Sequence, residues 1–304
     1  MKRAIVGLFG CVAVVLGGGI SADQEQEELG QWSAPVNLGA VVNSNLRDSS
    51  PSISRDGLSL YFASARAGSG NDLYVSQRQG IDLPWGAPAP LQAVNSPLND
   101  EGAHLSRDNR YLFFISGRAG TGLDLWLSER RHTQDDFGWE APVRLPFPPN
   151  SAGLDVAPAY VENPGHSAPG AQLYFSSGPN GPGLDLHVSE LRDDGTWTLP
   201  ENLVVLNSPF EDSGSAVRFD GLEMIFSSRR GGHLDLYVTR RNHRWEPWSE
   251  PENLGETVNT PFQEFAASLS PNGRTLYFAS DRPNGMGGFD LYASTRSRIR
   301  VKAE

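Results

Sequence analysis

The chain has 304 residues, 38% of them hydrophobic, with 33 glycines, 22 prolines and one cysteine. That suffices for a core in one large all-β domain or two smaller ones, and so much glycine and proline argues for many turns and little long helix. The formal net charge of −11 excludes a nucleic-acid binder, since such a surface repels phosphates.

The first element is not part of a fold. "MKR" supplies a positive start, "AIVGLFGCVAVVLGGGI" an apolar run of 17 residues, and "ISA" a small-residue end before the acidic "DQEQEE". This is the layout of a secretory signal peptide, residues 1–22, cleaved after Ala22. The run is too short and glycine-rich for a stable membrane span. "LFGC" also reads as a lipoprotein box lipidated at Cys11, but the Phe is unusual there, and cleavage would leave "VAVVLGGGI" attached. The expectation is a mature chain beginning near Asp23 without lipid or disulfide, with a net charge of −13 once Lys2 and Arg3 are gone. Its place is the periplasm or the medium, with no transmembrane span. Residues 23–31 read as a linker.

From Trp32 onward the chain repeats itself. Trp32, Trp85, Trp139, Trp197 and Trp248 follow one another at spacings of 53, 54, 58 and 51. Each opens a segment such as "WSAPVNL" or "WTLPENL", and an Asn followed by Ser or Thr comes after it: Asn43, Asn95, Asn150, Asn207, Asn259. Five residues beyond each Asn stands an acid: Asp48, Asp100, Asp155, Asp212 and Glu264. Then come "LYFAS", "LFFIS", "LYFSS", "MIFSS" and "LYFAS", a Gly-rich stretch, and "DLYVS", "DLWLS", "DLHVS", "DLYVT" and "DLYAS".

Each copy predicts four short strands. The Trp-Xaa-Xaa-Pro segment suits an outer edge, where proline's missing N–H costs little. A small-residue strand such as "PSIS" or "AHLS" follows the acid, and the two aromatic, β-branched runs complete the set. Asp56-Gly57, Asp108-Asn109, Asp220-Gly221 and Asn272-Gly273 mark tight hairpins. Four-stranded units at this period, without helices, predict an all-β, five-bladed β-propeller over residues 32–296. The chain starts on an outer strand and ends without one, so the first strand is expected to complete the last blade and close the ring, leaving no open edge. Residues 297–304 read as a tail, whose "RSRIRVK" start is the one basic cluster.

The repeat "N-S/T … D/E … P-x-x-S-x-D-G-x-x-L-Y-F-x-S-x-R … G-x-D-L-Y", followed almost throughout by residues 43–76 and 259–294, resembles the TolB-like, WD-like propeller repeats of exported bacterial proteins. The resemblance covers residues 32–296 and implies an exported propeller acting as a protein-interaction module, without implying one activity. The third copy departs most: "YVENPGHSAPGAQLYF" replaces the short turn.

The candidate site residues are the five acids Asp48, Asp100, Asp155, Asp212 and Glu264 at one mouth of the channel, with Arg66, Arg118, Arg230 and Arg282 on the same face. A carboxylate ring can take a cation or the amines and hydroxyls of a ligand, but a residue that every blade demands is more readily construction material, each acid accepting N–H groups of its own loop or pairing with an Arg. Catalysis calls for an acid and a base in unlike environments, which five similar contexts do not declare. The Asn-Ser/Thr pairs suit Asx or Ser turns. Asp72, Asp124, Asp185, Asp235 and Asp290 follow Gly-rich loops as turn caps, the histidines share no metal-ligand spacing, and no cofactor motif occurs. The symmetry-breaking stretches, residues 162–172 and 130–140 and the extra Trp in "RWEPW", are candidate partner surfaces. These observations add up to a monomeric, exported, non-enzymatic propeller acting as an envelope scaffold by binding another protein. The alternative is a carbohydrate-binding or carbohydrate-active propeller using the acidic mouth.

Overall fold

Every "LYF"-type run becomes a strand with both faces covered, because it lies inside a blade that is itself packed between two others. The computed structural model of the protein describes residues 26–68, 70–120, 122–162, 170–178 and 183–301. The leader with Cys11 and most of the third-copy insertion (163–169) lie outside the described residues.

Two short strands, β1 (Gln26–Leu29) and β2 (Val36–Asn37), precede the first blade. That blade is β3 (Asp48–Ile53), β4 (Ser59–Ser64), β5 (Asp72–Gln77) and β6 (Ala89–Pro90). The second is β7 (Asp100–Leu105), β8 (Tyr111–Ser116), β9 (Asp124–Glu129) and β10 (Val143–Arg144). The third is β11 (Leu154–Val161), β12 (Gln172–Gly178), β13 (Asp185–Glu190) and β14 (Glu201–Asn202). The fourth is β15 (Asp212–Val217), β16 (Glu223–Ser228), β17 (Asp235–Arg240) and β18 (Glu252–Asn253). The fifth is β19 (Glu264–Leu269), β20 (Thr275–Ser280), β21 (Asp290–Thr295) and, as its outer strand, β2; β22 (Arg298–Val301) follows.

The five sheets are antiparallel meanders, and the outer strand of each comes from the Trp segment of the next copy. Val36 pairs with Ala293 and Asn37 with Tyr292, so the N-terminal strand closes the ring on the last blade as the phase of the repeat predicts. The stretches read as linker and tail also carry structure: β1 and β22 form a two-stranded ribbon, with Leu29 opposite Arg298.

The core lies between blades. Tyr61, Leu73 and Val75 of the first blade pack with Leu105, Leu112 and Phe114 of the second, and the other junctions repeat the pattern. A buried aromatic of this kind stabilises by about 2–3 kcal/mol. Trp139, Trp197 and Trp248 meet Tyr61, Tyr160 and Tyr174 edge-on at 6.2–6.5 Å, and Trp32 and Trp85 pack partly buried against the same layer.

Candidate functional site

The innermost strands run from the acidic mouth of the channel to hairpin tips at the opposite mouth. The five acids stand at their start, as the first residue of four strands and the second of β11, and all five are completely buried. One carboxylate oxygen accepts the N–H of the residue four before it: Ser44 to Asp48 (2.6 Å), Ser96 to Asp100 (2.5 Å), Ser151 to Asp155 (2.5 Å), Ser208 to Asp212 (2.5 Å) and Thr260 to Glu264 (2.9 Å). The other oxygen takes a guanidinium from the same blade: Arg66 at 2.8 Å, Arg118 at 2.6 Å, Arg230 at 2.7 Å and Arg282 at 3.1 Å. Each guanidinium is sandwiched against the blade's two aromatics, as Arg66 is against Phe62 (5.2 Å) and Tyr74 (4.9 Å), and donates to a carbonyl near the repeat Asn. These are charge-assisted bonds inside the blade, and none of the carboxylates faces solvent. Among the described residues Asp155 is the one acid of the five without such an Arg, and its Oδ1 is buried without a partner there.

The repeated asparagines do more than cap turns. Asn43 donates to the Leu291 carbonyl and accepts the Leu291 N–H, behaving as one more residue of a β-ladder. Asn95 does this to Leu73, Asn150 to Leu125, Asn207 to Leu186 and Asn259 to Leu236. Of the expected Asx or Ser turns it is the Ser or Thr that makes the turn, its hydroxyl accepting the N–H two residues on at Ser44, Ser96, Ser151, Ser208 and Thr260, while the Asn amide matches a backbone pair across the blade boundary. A second repeated device has no counterpart in the sequence reading. Arg78, Arg130, Arg241 and Arg296 lie 4.1–4.4 Å over Trp85, Trp139, Trp248 and Trp32, and donate to the carbonyls of Gly57, Asn109, Gly221 and Gly273 in the hairpin tips. The signal was present as the Arg six residues after four of the five "DLY"-type Asp residues.

The connection 130–140 turns inward. Arg130 is completely buried, and Asp136 accepts from Arg130, Tyr61, Gln77 and Ser59, so this loop locks the first two blades together. The Arg130 guanidinium and the three hydrogen-bond donors hold the Asp136 carboxyl below its usual range against the opposing effect of burial. Trp245 is 82% exposed, with His243 stacked on it at 4.6 Å.

What differs from blade to blade lies on either side of the acids. The residue after the acid is Ser49, Glu101, Val156, Ser213 or Phe265, and the residue before it Arg47, Asn99, Leu154, Glu211 or Gln263. At the junction of the fifth, first and second blades, Phe265 and Phe289 meet edge to face at 5.0 Å. Arg47 lies 5.5 Å from both rings and 3.8 Å from Glu101, which also accepts from Asn71 at 3.2 Å. Across the mouth Arg229 pairs with Glu211 at 2.8 Å and reaches Gln263, which bonds Asp281. Aromatic faces, carboxylates and amides stand together here, half-buried, in positions the repeat leaves free.

The channel below is narrow. Two residues after each acid the backbone enters the left-handed region, at Ser50 (φ 52°), Gly102 (67°), Ala157 (53°), Gly214 (67°) and Ala266 (53°), with a bulge in each innermost strand. These residues and His104 enclose a cavity of about 50 Å³, room for little more than a water or two. His104 Nε2 is 3.1 Å from the Tyr160 carbonyl, and burial pushes its pKa down to about 4.

No family model and no curated protein matches the sequence. Among solved structures the chain is similar to the catalytic domain of a Coprinopsis cinerea GH62 α-L-arabinofuranosidase (TM-score 0.61, 13% identity, 89% of this chain and 98% of that one). It is also similar to a Podospora anserina α-L-arabinofuranosidase solved with cellotriose (0.59, 13%, 90% and 97%). TolB from Acinetobacter baumannii superposes at 0.53 with 16% identity over 84% of this chain, which spans 56% of that protein. The fold is a TolB-like five-bladed propeller. At these identities the likeness is one of fold. It corrects the expectation of a non-enzymatic envelope scaffold: the architecture found recurs in arabinofuranosidases and an endo-arabinase, which is the company of the carbohydrate alternative. No helix among the described residues is long and apolar enough to cross a membrane.

Proposed function

We propose that the protein is an exported, carbohydrate-recognising propeller whose ligand docks over the acidic mouth. The observation that carries this reading is the Phe265–Phe289 pair beside Arg47, Glu101 and Asn71. A few polar groups converging beside an apolar wall suit a sugar, whose C–H face packs on a ring while its hydroxyls bond carboxylate, amide and guanidinium. The buried acids Asp48, Asp100, Asp155, Asp212 and Glu264 and their arginines support that rim from below. The neighbours that carry cellotriose or xylotriose make neutral oligosaccharides the first ligands to try.

Calorimetric titration with cello-, xylo- and arabino-oligosaccharides tests this directly, with reducing-sugar release measured on whichever binds. Phe265→Ala should weaken binding about tenfold while leaving the melting temperature within a few degrees. A protein that binds none of these sugars, or a variant that binds as well as wild type, sinks the reading. Export rests on the leader-like start: mass spectrometry of protein from its native cell should find a chain beginning near Asp23, and a diacylglyceryl adduct on Cys11 would place it on a membrane instead.

A further inference from the structure

The opposite mouth has the reverse character. Around a cavity of about 720 Å³ stand Arg55, Arg107, Arg218 and Arg298 with Phe219, and one carboxylate, Asp220. That carboxylate is already held by Arg218 at 2.7 Å. In a chain of net charge −11 this lining sets four guanidiniums beside one carboxylate.

The repeat does not demand these cations. Arg55 and Arg107 occupy the second position of their hairpin tips, where the fourth and fifth blades have Phe219 and Pro271 in the same turn. Arg218 stands where the other tips have Ser54, Ser106 and Ser270, whose hydroxyls bond the turn's Asp or Asn. Arg298 arrives from β22. Two repeat positions on three hairpins, together with a terminal strand, thus converge on one cavity. The Arg55 side chain is exposed and has no partner among the described residues, while Arg107 lies 5.7 Å over the Phe219 ring. Other charges near the tips are engaged: Asp56 and Asp108 cap their own turns, and Glu162 accepts the N–H groups of Arg107 and Asp108. Arg244 donates to the carbonyls of Phe219, Asp220 and Glu162, which fixes the fourth tip rigidly against the third blade. Arg55, exposed, and Arg107, stacked on Phe219, keep N–H groups from which a bridging oxyanion can accept charge-assisted hydrogen bonds.

We propose that this mouth binds a small polyanion carrying carboxylate or phosphate groups, held by Arg55 and Arg107 against Phe219. The cavity has the volume of an ordinary ligand site. This site is separate from the carbohydrate rim at the other end of the channel. The test uses the full chain titrated with pyrophosphate, with a trigalacturonate and with neutral xylotriose, at low ionic strength and at about 0.15 M salt. The wild type should bind at least one of the two anions, and the one bound tells a phosphate from an acidic sugar. The Arg55→Ala/Arg107→Ala double variant should lose about tenfold or more in anion affinity with an unchanged melting temperature, since both side chains sit on turn tips. Arg131→Ala, whose side chain is 83% exposed in another connection, serves as the control and should bind as wild type does. Failure of both anions to bind, undiminished binding by the double variant, or an equal loss in the control would each overturn the proposal. Because neutral sugars report on Phe265 and anions on Arg55, failure at one mouth is distinguishable from failure at the other.

Discussion

The third blade and the other four are built from one plan, and the third omits its electrostatic parts together. In four blades a carboxylate, a guanidinium and two aromatics form one buried unit. In the third, the Arg position is Pro179 by sequence, the aromatic slot holds His187, and Asp155 Oδ1 is left unbonded. Likewise Arg78, Arg130, Arg241 and Arg296 tie strand ends to hairpin tips, while the third blade has Leu191 there and a long insertion in place of the tip. Two interactions are thus modular: when the geometry of one end changes, its partner is dispensable, and apolar packing around Leu173, Phe175 and Trp197 still holds the blade in the ring.

The largest effect should come from the device the third blade never had. Asp136→Asn removes the charge opposite fully buried Arg130 and should cost about 3 kcal/mol in urea unfolding, as breaking a buried pair does. A loss under 1 kcal/mol would show that the loop is ornamental. Next, Asp100→Asn should cost about 2 kcal/mol because Arg118 loses its carboxylate, whereas Asp155→Asn should stay within about 0.5 kcal/mol. Equal losses at the two sites would dissolve the contrast between the blades. Smaller and of opposite sign, Ala157→Gly and Ala266→Gly should each stabilise by about 1 kcal/mol, since both residues occupy left-handed backbone that costs a side chain.

A further effect is a pH dependence. His104 is held neutral in the fold down to about pH 4, while in the unfolded chain it protonates near its ordinary 6.5. Between those values the unfolded state binds the extra proton, so stability falls as pH drops. His104→Gln should flatten that part of the stability profile; a variant that loses as much as wild type between pH 6.5 and 4 rules His104 out as the cause.

The blades, their phase and the closing strand were legible because they rest on strong, regular signals: aromatic runs, Asp-Gly turns and a Trp every fifty-odd residues. The acids were legible as a ring and as construction material, accepting N–H groups of their own loop and pairing with an Arg, but which Arg was not, since it lies 18 residues away and the burial depends on packing. The rim around Phe265 and Glu101 was hidden for the opposite reason. It is assembled from positions that differ in every copy, so no repetition marks it. The left-handed residue in each innermost strand also escaped, because Ser50, Ala157 and Ala266 are not residue types that announce positive φ.

The clasp between the first and last blades sets a timetable for synthesis. Asn43 must find Leu291, 248 residues later, and Val36 must find Ala293. As the chain leaves the ribosome, β2 is among the first strands made and the last to be used. Four blades can meander into place from neighbouring residues, but the fifth waits for an end that has been idle throughout. A nascent ring therefore carries an unpaired β21 edge and a loose N-terminal segment until the very end, a period in which a second chain's β2 fits the gap as well as its own.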